Sequence, residues 1–496
     1  MYLAFVRIGL QLSVIMKFNS PSLLVFLMVC LLLAALSACG DLSLPAEGLE
    51  PTLTVSQTDF PETSTANGDP DEPTSTPAPD PLGMDWSEVD GQQLEFWYLW
   101  DLDEPGAGMN AIVDRFNQEN EWGITVIPRD QGLVLDPLAS VETAFDEGQL
   151  PQIMVGDSSV IAEWYQADLI VDLIPFLEDP AAGLPGTGQK AFYPDLFSEF
   201  LLEGLARPAM PFSQSIQVIY YNKTWAEELD FDSPPGMAEE LWEQSCQSAG
   251  DEEPAGLIFS PQAANILSFM YAYRGDPVVS VGGQYHFSSR KIKEFARDWR
   301  ELSLEGCGML ISNYPNPMAI EEEYERFNQR QALMIMGSSL MQKHIQMGVG
   351  QNGQGDDWQM LAFPGPDGTK AVTSQVQSVV IFKSTPEAEL ASWLFLKYLT
   401  SAEVQAEWAQ YSGYYPTRKD SLPLLREYRS ENPAWASGLY LLEYGRLVPL
   451  HPSWQIVNLA VEDAFEEMLA NPEIDPEDQL ETLDLVVAEL LDWTEE

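Results

Sequence analysis

Residues 210–223 read Met-Pro-Phe-Ser-Gln-Ser-Ile-Gln-Val-Ile-Tyr-Tyr-Asn-Lys. A Pro-led segment rich in Ser and Gln runs into β-branched and aromatic residues, Gln217 to Tyr221, whose composition favours a strand. Asn222 is a turn former, and the pattern predicts a helix opening near Thr224. Polar loop chemistry therefore sits directly against a buried strand.

Upstream, Leu94 to Trp100 alternates and is rich in aromatics, the pattern of a first strand. A loop from Asp101 to Gly108 leads to a helix with Ile112, Val113 and Phe116 on one face, and Ile124 to Ile127 forms a second strand. Strand, helix, strand at this spacing predicts a parallel α/β sheet with right-handed crossovers. Ile153 to Val155 is a third strand running into Gly156-Asp157-Ser158-Ser159. Ligands in open α/β sheets bind beyond the carboxyl ends of strands, which makes Asp101, Asp157 and Ser158 candidate ligand contacts. Asp157 and Ser158 serve equally well as helix N-caps, and capping and contact are compatible.

Downstream, Gln331 to Met336 is apolar and enters Gly337-Ser338-Ser339; Trp358 to Met360 and Phe363 to Gly368 precede a Val379 to Phe382 strand; Ser412-Gly-Tyr-Tyr-Pro-Thr-Arg418 and Pro452-Ser-Trp454 follow. In this order the segments from Leu94 to Leu491 resemble the solute-binding proteins of ABC transporters, in the branch holding the maltose, oligosaccharide and glycerol-phosphate binders. The resemblance implies an α/β, two-lobed periplasmic-binding-protein fold of type II, each lobe a mainly parallel sheet flanked by helices. It places lobe 1 at residues 92–212 plus 370–418 and lobe 2 at 213–369 plus 419–496. It also implies that Ser213, Ser215, Ser338 and Tyr414 line the ligand cleft, with Trp454 stacking on a sugar ring. Where the family has a Gly pair before the Val379 strand, this chain has Ser374-Gln375-Val376-Gln377, so side chains stand where the family has bare backbone.

The 496 residues exceed one core and fit two or more domains. With 24 basic against 77 acidic residues the net charge is −53, a surface that repels nucleic acid and anionic lipid headgroups. Lys17, the apolar run Leu23 to Leu36 and Leu36-Ser-Ala-Cys39-Gly40 have the layout of an export signal. The run is shorter than the ~20 residues of a spanning helix. The stretch resembles the lipobox of bacterial lipoproteins, which implies removal of residues 1–38 and acylation of Cys39. Met16 before Lys17 has the look of a start, which would leave residues 1–15 untranslated. From Cys39 to residue 91 the chain is acidic, rich in Pro, Thr and Ser, and too poor in large apolar residues to fold; it reads as a disordered tether. Cys246 and Cys307 are either bridged or free and buried.

Three scattered histidines form no metal spacing or catalytic triad, and no cofactor, metal or catalytic residue is expected. The expected protein is an exported, membrane-anchored, monomeric substrate-binding lipoprotein of an ABC importer, which captures a sugar or oligosaccharide between two lobes and passes it to the permease by hinge closure. Glycerophosphate, which would call for Arg or Lys, and a polyamine, which would exploit Asp101, Asp103 and Asp157, are the alternative ligands. A sensor lipoprotein without transport is the alternative role, and a glycosidase the alternative class.

Overall fold

The computed structural model describes residues 89–100, 104–131, 137–199, 206–250, 254–280, 283–311, 319–351 and 355–495. The export signal, Cys39, the tether up to residue 88 and Asp101 lie outside the described residues.

Strand β1 (Gln93–Tyr98) runs parallel to β2 (Thr125–Asp130) on one side and to β3 (Ile153–Asp157) on the other. The intervening helix, Glu104–Glu119, buries Met109, Ile112, Val113 and Phe116, the i, i+3, i+4, i+7 stripe of a helix laid on a sheet. Gly108 lets this helix approach the helix Ala402–Ser412, because a β-carbon there would stand 2.3 Å from the Tyr411 ring. Then comes β4 (Met210–Asn222), 13 residues long and buried throughout. Beyond it lie β5 (Ala255–Phe259), the hairpin β6 (Val278–Ser280) and β7 (Gln284–Tyr285), β8 (Gly308–Leu310) and β9 (Ala332–Ser338). The chain returns through β10 (Trp358–Leu361), β11 (Phe363–Pro364) and the long β12 (Lys370–Ile381), with short β13 (Tyr415–Pro416) and β14 (Gly445–Leu447) completing the set.

One sheet runs in the order β2-β1-β3-β12-β4-β9-β5-β8. Its two ends are parallel, β2-β1-β3 and β9-β5-β8, and β12 and β4 join them as an antiparallel pair. Separate apolar clusters cover the ends. Phe96, Val155, Val379, Ile381 and Trp393 belong to one, and Ile219, Tyr221, Leu257, Phe269 and Phe465 to the other. This is the two-lobed α/β architecture.

The crossing strands are longer than the sequence pattern predicts: Gln217–Tyr221 becomes Met210–Asn222, and Val379–Phe382 becomes Lys370–Ile381. Polar residues read as loop are strand because each gains backbone partners in the middle of the sheet. Pro211 is tolerated because it lies where the register with β12 shifts, between Gln377 and Ser378, and prolines sit in sheets at such irregularities.

The Asn222 of the opening stretch closes β4 by several bonds at once. Its Oδ1 accepts from Trp225 N at 2.9 Å, capping the next helix, and its Nδ2 donates to Asp356 at 2.8 Å. Arg330 donates to both oxygens of Asp356, at 2.7 and 2.6 Å, and these bonds hold that carboxyl below the usual range. The pairing of Cys246 with Cys307, left open by the sequence, is a disulfide joining the helix Ala238–Ser248 to the start of β8. No helix among the described residues is long and apolar enough to cross a membrane.

Because the bridge spans 61 positions, Cys246→Ser with Cys307→Ser is expected to lower stability by about 4 kcal/mol in the chain-entropy picture, read as a fall in denaturant midpoint.

Candidate functional site

The register of the crossing strands assembles a polar patch. Ser213 faces Gln377 and Ser215 faces Gln375 across β4 and β12; Asp157 of β3 faces Gln377 from the other side; Gln217 faces Ser338 of β9. Directly opposed residues share a face and neighbours along a strand alternate, so these seven side chains lie on one face of the sheet. Along that face the patch interrupts the apolar surface. Met210, Val379 and Ile381 belong to the first lobe's core on one side of it, and Ile219, Tyr221 and Met336 to the second lobe's core on the other. The register shift beside Gln377 produces this alignment. An extra residue on β4 changes the parity of its side chains, so Ser213, Ser215 and Gln217 face the same way as Gln375 and Gln377.

The opposite face is closed and mainly apolar: Ile216, Val218 and Tyr220 enter a cluster with Val372, Ile335, Tyr415 and Trp435. Gln214, also on that side, donates from Nε2 to the Pro416 carbonyl at 3.0 Å.

Burial grades across the patch. Ser213, Ser215 and Gln217 are at most 3% exposed, Gln377 is half-buried, and Gln375 and Asp157 are exposed. Ser213 Oγ and Gln217 Oε1 are buried without a hydrogen-bond partner.

Among the other expected contacts, Asp157 Oδ1 accepts from Val160 N at 3.3 Å and so caps the helix Ser158–Gln166, within which Ser158 is buried. Ser338 Oγ accepts from Leu340 N at 3.3 Å. Both act as caps while lying on the patch. Tyr414 is half-buried beside Trp100 and Trp408, at ring separations of 6.2 and 6.4 Å, and adjoins β13, where Tyr415 pairs with Gln214. The turn that presents it needs Gly413, whose φ is +80°. Trp454 differs from the open aromatic platform expected. It is 5% exposed, packed in the second lobe's core with its ring 5.8 Å from that of Tyr285. The large apolar ring is worth more against Val457, Val461 and Phe465 than in water.

Gln217, Gln375 and Gln377 were not singled out as contacts. Their signal was the period-two spacing Ser213-x-Ser215-x-Gln217 and Gln375-x-Gln377, which places each set on one side of a strand.

One buried acid lies outside the patch. Glu323, in the helix Ala319–Asn328, is 1% exposed, and its Oε1 has no hydrogen-bond partner. Burial pushes its carboxyl up to about 8.

The chain belongs to the bacterial extracellular solute-binding protein family, whose model matches residues 111–436. Proteins of this family bind small solutes for ABC permeases, and the chain is accordingly an exported solute-binding protein of an ABC importer. A binding protein of Brucella abortus (strain 2308) is 22% identical over 376 residues, covering 73% of this chain and 85% of its own. The sn-glycerol-3-phosphate-binding periplasmic protein UgpB of Yersinia enterocolitica is also 22% identical, over 69% of this chain and 78% of its own. Among solved structures, the cyclic α-maltosyl-1,6-maltose binding protein of Arthrobacter globiformis superposes with a TM-score of 0.68 at 18% identity, covering 80% of this chain and 98% of that one. UgpB of Mycobacterium tuberculosis, in complex with glycerophosphocholine, superposes with a TM-score of 0.67 at 16% identity, covering 82% and 99%.

The Glu323 carboxyl binds its proton more tightly folded than unfolded. Its contribution is therefore full below about pH 4.3, the unfolded value, and is lost as pH rises through about 8. Glu323→Gln is expected to flatten that fall, so that the variant melts a few degrees above the parent at pH 8.5 and no higher than it at pH 4; melting curves across that range check this.

Proposed function

We propose that this protein captures a neutral sugar on the polar patch of β4 and β12 and carries it to an ABC permease by closure of its two lobes. The observation that carries the reading is the chemistry of the patch: five hydroxyl or amide side chains on the crossing strands, Ser213, Ser215, Gln217, Gln375 and Gln377, joined by Ser338 of β9 and by a single carboxylate, Asp157 of β3. Hydroxyls and amides both donate and accept, which suits sugar hydroxyls. Neither Lys nor Arg is among the seven. A glycerophosphate would call for one. Lys343, on the helix that follows Ser338, is engaged with Glu104 at 2.8 Å and with the Tyr411 carbonyl at 3.2 Å.

The lobes take residues 92–212 plus 370–418 and 213–369 plus 419–496 in this reading, with the hinge in β4 and β12. Ligand touching both lobes favours the closed state, since only there are both sets of bonds made. Tyr414 supplies an aromatic edge and Ser338 a second-lobe hydroxyl. Acylation of Cys39 anchors a monomeric protein to the outer face of the membrane through the acidic tether. The protein binds without catalysis, so oligosaccharides incubated with it are recovered intact.

The support from relatives is divided, since maltose-type and glycerophosphate-type binders share the fold. The ligand panel decides between them. A neutral sugar is expected to raise the melting temperature, while sn-glycerol 3-phosphate, glycerophosphocholine and spermidine leave it unchanged. Stabilisation by the phosphates or the polyamine alone refutes the reading. Ser213→Ala is expected to weaken sugar binding about tenfold, equivalent to about 1.4 kcal/mol for one buried hydrogen bond, measured by calorimetry.

A further inference from the structure

The patch has dimensions. Adjacent strands lie about 4.8 Å apart, so the row Asp157, Gln377, Ser213 measures about 10 Å across β3, β12 and β4. Along β4, Ser213 to Gln217 is four residues, or about 14 Å. The floor thus takes a few sugar rings at most if it is clear, and it is not clear. Gln375 and Gln377 are next neighbours on the same side of β12, about 6.8 Å apart, roughly the breadth of one pyranose ring. Their short partners Ser215 and Ser213 are buried, while Gln375 is exposed and Gln377 half-buried. The two amides therefore rise above the floor that the serines form. Each carries two N–H donors and one oxygen acceptor, the complement of a pair of adjacent ring hydroxyls. With the serines covered, the amides are the solvent-facing groups of these two pairs, so a ring approaching this face meets both of them first, and a longer chain extended across β12 toward Asp157 would have to pass over them.

We propose that Gln375 and Gln377 are the size filter of the site, gripping one ring and restricting the ligand to neutral mono- and disaccharides. This rests on the neutral-sugar reading above. Bulk and hydrogen bonding act together here and are separable: alanine removes both, whereas methionine keeps the length and removes the polar atoms.

The test is calorimetric titration of the full chain with gluco-, cello- and xylo-oligosaccharides of one to six units. The parent is expected to bind a mono- or disaccharide at least tenfold more tightly than the tetramer to hexamer of the same series. In Gln375→Ala/Gln377→Ala that preference shrinks below about threefold. In Gln375→Met/Gln377→Met affinity falls for every length while the preference for short ligands stays. Circular dichroism and melting temperature establish that the variants fold; should the double variants fail to, Gln375→Ala alone, at an exposed position, carries the comparison. Equal affinity of the parent for dimers and hexamers overturns the filter, as does an unchanged length profile in the alanine variant, and either leaves the neutral-sugar reading standing. Failure of every neutral sugar to bind the parent removes that reading and the filter with it.

Discussion

The antiparallel pairing of β4 with β12 is the interaction on which the molecule depends. Two long strands run through the middle of the sheet, so their backbone groups are paired with each other and, beyond each other, with the parallel strands of either lobe. That pairing lets polar side chains be buried at Ser213, Ser215 and Gln217 without leaving their peptide groups short of partners, a cost that buried loops cannot escape. It also sets which residues meet. A single register irregularity beside Gln377 turns three residues of β4 toward the same side as two glutamines of β12. The two faces of this pair are chemically opposite. One continues from the first lobe's core to the second's through a band of hydroxyls and amides, and the other packs against Tyr415 and Trp435. On one face a polar band separates the two cores, and the reverse face is mainly apolar.

Charge and burial divide the work differently. The acidic excess is spread along the chain, and where a cation does meet the crossing strands it serves structure: Arg330 completes the Asp356–Asn222 bonds that end β4. The described bonds of Lys343 likewise run to Glu104 and to main-chain carbonyls of the helix Ala402–Ser412. The patch itself is left to neutral groups and Asp157, whose Oδ1 also caps a helix. In this protein a residue's capping role and its place on the candidate surface coincide, because strand ends, helix starts and the ligand side of an α/β sheet fall at the same level.

How much was legible beforehand varied by element. The strands before Asp157 showed in their alternation and appear near their expected bounds, with β3 reaching to Asp157 itself. The middle of the sheet was harder, since Met210 to Ile216 reads as loop by composition and becomes strand only when β12 lies beside it. Trp454 shows the opposite difficulty. Its position in the chain suggested an exposed platform, yet the structure gives it Tyr285 as a neighbour, and Tyr285 comes from a hairpin about 170 residues away in sequence. Nothing local distinguishes an aromatic that covers a core from one that faces a cleft.

What the sequence determined by itself was class and chemistry: alternating strands and amphipathic helices that require a flanked α/β sheet, an acidic surface unsuited to nucleic acid, and a run of Ser and Gln leading into the Gln217–Tyr221 strand. These follow from composition and periodicity, which are local. The tertiary structure alone decided partners. It selected disulfide over free thiols for Cys246 and Cys307, and core over platform for Trp454. It also brought Gln377 between Asp157 and Ser213, because strand register depends on contacts among residues far apart in the chain that no single segment encodes.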